Sequence, residues 1–170
     1  ARERLQTHLG VTARAESGTF LSEAGIVIWA VKPQSFKEAA VQSRIHTLDA
    51  LHISVAAGIP SSSIAKWLGN ERVIRTMPNT PALIGKGITG LFARPAVTAA
   101  DRQHAERVVS GMGQFLWLDN ESQLDAVTAI SGSGPAYMFY FMESMTAAGA
   151  EMGLDREQAY RLAVATFIGA

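Results

Sequence analysis

The sequence predicts an α/β fold: a parallel sheet with helices on its faces over residues 1–120, then an all-helical segment over residues 121–170. Three observations lead there. Short apolar, β-branched runs alternate with helical stretches through the first part. The runs are continuous rather than alternating, as in strands covered on both faces. After Asp119 the strand signal stops and only helical periodicity remains.

The chain opens on "ARERLQTHLG", which reads as the back half of a helix, with Leu5 and Leu9 on one face and Gly10 as its C-cap. "GIVIWAV" (Gly25 to Val31) and "LHISVAA" (Leu51 to Ala57) are the first two strands, joined by a helical or irregular crossover, "SFKEAAVQSRIHTL". "SSSIAKWLG" (Ser61 to Gly69) is a short helix with serine caps and a glycine stop. "RVIRTM" (Arg72 to Met77) and "GITGLFAR" (Gly87 to Arg94) are the third and fourth strands. Thr98 or Ala99 starts an amphipathic helix that ends near Gly111 to Gly113, and "QFLWLD" (Gln114 to Asp119) is a fifth strand. Beyond it, Asp125 to Ile130 is a short helix and Tyr137 to Met152 a longer one, apolar nearly all round its first half. Asp155 with Gln158 resembles a capping box for a last helix. Both ends break off inside helical patterns, so the chain is expected to be a segment of a longer protein.

Composition removes several function classes. Apolar residues make up 48% of the 170, enough for a core, which excludes disorder. A formal net charge of zero gives no electrostatic case for nucleic acid or an anionic membrane surface, and neither partner is expected. There is no cysteine, which rules out disulfides, thiolate zinc sites and a cysteine nucleophile and fits a reducing compartment. No apolar run approaches the ~20 residues of a membrane span, and no signal-peptide core follows the first arginines. His8, His46, His52 and His104 are scattered without metal-ligand spacing, so no metal is expected. His52 alternates with apolar strand residues and reads as a satisfied or edge histidine.

The strand ends draw the most attention. In an open α/β sheet, ligands bind beyond the carboxyl ends of the strands. The three strongest strands end in "AVKP" (Ala30 to Pro33), "AAGIP" (Ala56 to Pro60) and "MPNTP" (Met77 to Pro81), small residues and prolines that admit a ligand to a rigid backbone. Lys32 is either a phosphate contact or a solvated loop lysine. Asn79 either hydrogen-bonds a ligand amide or caps its own turn. "GKGITG" (Gly85 to Gly90) matches G-x-G-x-x-G in letters only, because it runs into a strand instead of opening a helix. "NES" (Asn120 to Ser122) is a chance sequon, and "SGSGP" lacks the spacing of a nucleophile elbow. The "AISGSGPAYMF" stretch has a helix on each side and no following lysine. It therefore reads as a helix-packing or hinge segment more than a phosphate loop, with Pro135 in the first turn of the next helix, Ser133 or Gly134 as its N-cap, and the aromatics going to core or subunit interface.

Taken together, "AVKPQSFKE", "ISVAAGIP", "VIRTMPNTPALIGKGITGLFA", "LDAVTAISGSGPAYMF" and "GAEMGLDREQAYRLA" resemble the pyrroline-5-carboxylate reductase family, in order and over roughly residues 25–170. The resemblance implies a Rossmann-like domain over 1–120 and the start of an all-helical dimerisation domain over 121–170, both incomplete. It implies hydride transfer from NADPH or NADH to 1-pyrroline-5-carboxylate, giving L-proline, by a cytoplasmic homodimer or higher homo-oligomer. Carried over by position, the cofactor contacts are Ala30, Val31, Lys32 and Pro33, then Val55, Ala56 and Ala57, with Asn79 on the nicotinamide side and Glu121 at the domain junction. Ser131, Gly132, Ser133 and Gly134 shape the substrate cleft. Serine stands at position 17, where the family usually has asparagine beside the adenosine ribose. The family's glycine-rich loop and later Gly-Gly-Thr-Thr loop are not in this sequence, so the segment alone is expected to be inactive. No residue is assigned as the acid that protonates the imine, and solvent can do so before binding. Two rival readings stand beside this one. A hydroxy-acid dehydrogenase would need a catalytic lysine on the first long helix of the second domain, and residues 137–152 have none. A non-catalytic dimerisation segment is the other.

Overall fold

The structure is a computed structural model that describes residues 2–170. Its centre is a five-stranded sheet in the order β1-β2-β3-β4-β5, formed by Ile26–Trp29, Leu51–Ser54, Val73–Met77, Gly87–Ala93 and Gly113–Trp117. The α/β class holds, but the sheet is mixed. β1, β2 and β3 run parallel, β4 runs antiparallel to β3, and β5 is parallel to β4. The reversal follows from the link. Residues 78–86 are too few for a crossover helix, which needs a dozen or more, so the chain turns back through a 3-10 segment at Thr80–Ile84. The turn is tight: a Cβ on Gly87 would lie 2.8 Å from the Ala82 backbone nitrogen.

Helices cover both faces of the sheet. On one side α2 (Pro33–Ser43) and α3 (Ser61–Leu68) bring Phe36, Ala40, Ile64, Ala65 and Leu68 against Trp29, Ala56 and Val73. On the other, α4 (Ala99–Ser110) packs Ala105 and Val109 against Leu51, Ile53, Ile74 and Leu91. Each such large side chain contributes about 1.5–3 kcal/mol by leaving water. Successive residues of β2 serve opposite faces, and all four are buried, the polar His52 and Ser54 with Leu51 and Ile53. β1 departs from that expectation. As an edge strand it leaves Ile28 half exposed.

Local capping follows the sequence in two places and not in a third. Thr98 forms a reciprocal capping box with Asp101 at the start of α4, and Asp155 does the same with Gln158 at α7 (Arg156–Gly169). Asp101 also accepts a two-pronged ion pair from Arg72 at 2.6 and 3.1 Å, which ties α4 to the start of β3 and holds the carboxyl at about 2. At α3 the expected serine cap is absent. Pro60 occupies the N-cap, and no side chain of the local sequence caps the helix.

After β5, α5 (Gln123–Val127) passes through a π turn at Thr128–Gly132 into α6 (Gly134–Glu151), three residues earlier than Tyr137. α6 and α7 form an antiparallel hairpin, with Gly149 close to Ala159 and Phe141 edge-on to Phe167. Tyr137, Phe139, Tyr140 and Phe141 stay exposed, as do Leu162 and Ile168 on α7. That much uncovered apolar surface marks an interaction face. Among the described residues, no strand follows β5 and no helix is long and apolar enough to cross a membrane.

His52 is the satisfied histidine of the two options, fully buried in β2. The Trp29 indole N–H donates to its Nδ1 at 3.0 Å, which leaves its proton on Nε2, 3.1 Å from the Thr47 carbonyl oxygen. Burial, helped by the Arg72 charge and opposed by Thr47, lowers its pKa from 6.5 to about 4. The unfolded chain therefore takes up a proton between these values that the folded chain refuses. Stability should fall by up to about 3 kcal/mol as pH drops across that window. Urea unfolding of wild type and His52→Gln checks this. The variant should lack that part of the slope, and equal slopes in both would contradict it.

Candidate functional site

The registers of β1, β2 and β3 align Trp29, Ser54 and Arg75 across the sheet, so the segments that follow leave from one edge. The row is stitched together: the Val55 N–H donates to the Trp29 carbonyl oxygen at 3.2 Å, and the Ala56 N–H to the Ser54 hydroxyl oxygen at 3.2 Å. Ala30 and Val31 lead to Lys32, which holds the N-cap position of α2, with Pro33 in the first turn. No side chain caps that helix end. Lys32, Ala57 and Gly58 are exposed, so the row is an open edge.

Asn79 does not cap its own turn, because no side chain caps the 3-10 segment it precedes, and the ligand reading stays open. Its side-chain oxygen accepts from the Ile88 N–H at 3.0 Å, bracing the turn into β4. Its NH₂ group, half-buried beside the row, has no protein acceptor among the described residues. The amide is thus oriented by the fold with its donors unspent.

The 131–134 segment meets the same edge. A Cβ on Gly132 would lie 2.9 Å from the Met77 Sδ-methyl carbon, so glycine lets the segment approach the end of β3 without the Met77 side chain moving aside. The segment is not a loop: the Ser133 N–H donates to the Thr128 carbonyl oxygen at 2.8 Å, and the Ser131 hydroxyl to that of Val127 at 3.0 Å. Ser133 takes the N-cap position of α6 in helical geometry, and Pro135 lies in the first turn. Gly134 has open space around it. These two donors are spent inside the helical turn, in line with the packing reading.

Glu121 lies where α3 begins, and three donors converge on its carboxylate. Oε1 accepts from the Ser61 N–H at 2.6 Å and from Arg75 Nη1 at 2.7 Å, while Oε2 accepts from the Ser61 hydroxyl at 2.6 Å. Arg94 Nη1 donates in turn to the Ser61 oxygen at 3.2 Å, and Arg94 pairs with Glu71. Burial pushes the Glu121 pKa up, but the bonds from Ser61 and Arg75 outweigh it and leave it below the usual carboxylate value. Ser61, Arg75 and Arg94 were not singled out from the sequence. Arg75 could have been: an arginine inside an apolar strand calls for a partner. Ser17 lines a separate hollow with Glu16, Ala39, Gln42 and Ser43, beside the second half of α2.

Residues 121–170 match the family described as pyrroline-5-carboxylate reductase dimerisation. Over 99% of its length the chain is 44% identical to the pyrroline-5-carboxylate reductase of Pseudomonas aeruginosa, of which it spans 63%. In three dimensions it superposes on a pyrroline-5-carboxylate reductase from Coxiella burnetii with a TM-score of 0.91 at 34% identity, covering 98% of this chain and 63% of that one. A Plasmodium falciparum pyrroline carboxylate reductase, solved with NADP bound, gives 0.84 at 29% identity, covering 93% and 61%. The fold is accordingly a Rossmann-like sheet followed by helices of the dimerisation type. By sequence and by fold the chain belongs to the pyrroline-5-carboxylate reductase family, as a segment spanning under two thirds of the relatives it matches.

Proposed function

We propose that this chain belongs to an NAD(P)H-dependent enzyme that reduces 1-pyrroline-5-carboxylate to L-proline. The observation that carries the reading is the stitched row of strand ends, flanked by an oriented amide at Asn79 and by the Gly132 approach to Met77. Residues 1–120 are read as part of the dinucleotide half and 121–170 as the start of the helical half. The cytoplasm is the proposed compartment, in keeping with a chain that has no cysteine.

The residues present suit a dinucleotide. Small exposed side chains at Ala30 and Ala57 leave the backbone accessible, with Ala56 buried in the core behind them, and the uncapped start of α2 with Lys32 beside it favours negative charge. Val31 and Pro33 supply apolar surface, while Val55 continues the edge. The unspent Asn79 donors suit a carboxamide or carboxylate oxygen. When bound, the cofactor supplies the hydride, and the protein supplies position and electrostatics. Ser131, Gly132, Ser133 and Gly134 are read as one wall of the substrate cleft, shaped by close packing. The exposed aromatics of α6 are read as the face toward a second copy.

Two measurements test this. Full-length protein given 1-pyrroline-5-carboxylate should oxidise NADPH or NADH, followed at the nicotinamide absorbance. Turnover of hydroxy acids with no turnover of the imine would overturn the assignment. Asn79→Asp keeps the oxygen that Ile88 needs but replaces the free donors with negative charge. It should fold as wild type and raise the cofactor or substrate KM by about tenfold or more, the equivalent of ~1.4 kcal/mol. Unchanged KM values would remove Asn79 from the site.

A further inference from the structure

We propose that Glu121 is a positioning residue: its carboxylate caps α3 from sixty positions away and so fixes the strand-end loop Val55–Pro60 for the dinucleotide. This rests on the reading of the row as the cofactor edge.

The loop has two ends to hold. Its upstream end is held by its own strands, through the bonds from Val55 to Trp29 and from Ala56 to Ser54. Its downstream end runs through Pro60 into α3, and Pro60 has no side-chain acceptor for the free N–H groups there. Ser61 is 1% exposed, so water cannot easily take that role. Glu121 does, with one oxygen on the Ser61 N–H and the other on its hydroxyl. A carboxylate at a helix N-terminus is favoured by both hydrogen bonding and the helix dipole.

The carboxylate is itself fixed from the sheet. Arg75 projects from β3 with 11% of its side chain exposed and grips Oε1, while Arg94, just past β4, reaches the Ser61 hydroxyl oxygen. The loop end, β3 and the start of the helical part therefore share one anion. Between the held ends lie Ala57 and left-handed Gly58, both exposed and with no backbone N–H bond to protein among the described residues. These are the backbone groups that a ligand at this edge would meet, and their placement depends on both anchors. Three protein donors on Glu121 give it a holding role in place of a direct cofactor contact. A glutamine would keep the shape but turn one acceptor into a donor facing another donor.

Steady-state kinetics of full-length Glu121→Gln test this. Its KM for NAD(P)H should rise about tenfold while kcat stays within about threefold, because placement is lost and chemistry is not. Amide exchange at residues 61–63 should quicken by about tenfold or more, whether or not cofactor is present. Ser61→Ala keeps the N–H bond and loses the hydroxyl, so its KM should rise less; it carries the test if Glu121→Gln does not fold. A folded variant with unchanged cofactor KM, or one with reduced kcat alone, overturns the inference and leaves the proposed function standing. Wild type that neither binds nor oxidises NAD(P)H overturns both.

Discussion

The Glu121 carboxylate, held between Ser61 and Arg75, is the contact on which the arrangement of the chain depends most. It joins three parts that the sequence keeps far apart: the loop after β2, the middle of β3 and the entry to the helical part. Hydrogen bonds to a charged partner contribute about 1.5–3 kcal/mol each, well above a neutral pair. The converse matters more. Without Glu121, Arg75 would sit 89% out of solvent with no counter-charge, and breaking such a pair costs more than forming it returns. The contact thus serves stability and registration together.

Sheet geometry supplies the rest of the site. Three parallel strands of matched register lead to one edge, β3 two residues beyond the others, and the reversal at residues 78–86 keeps β4 from adding a fourth end there. The same turn holds Asn79 in place through Ile88. Gly132 then brings the helical part against Met77, at the tip of the longest of the three parallel strands. Packing on one face by α2 and α3 and on the other by α4 makes this edge rigid. The hairpin of α6 and α7 has no such cover, and its aromatics remain in solvent.

Much of this was legible in the sequence because the signals are local. Apolar runs marked all five strands, the Asp155 box marked one helix start, and Thr98 or Ala99 marked another. The order of elements around "GKGITG" was enough to reject a nucleotide fingerprint, and the segment indeed runs into β4. What escaped depends on distance or on partners. The direction of β4 was missed although the short link could have shown it. The cap of α3 was assigned to serine, but the acceptor comes from Glu121, which no local pattern reveals. Ile28 was expected to be buried because a strand's composition does not show whether it lies at a sheet edge.

The most direct test of this account is a double-mutant cycle on Arg75→Met and Glu121→Gln in the full-length protein, read by urea unfolding at fixed protein concentration. If the carboxylate locks the sheet to the helical part, the two changes should couple by about 1–3 kcal/mol, with the double variant less destabilised than the sum of the singles. Additive losses, within about 0.5 kcal/mol, would show that the contact does not carry the arrangement.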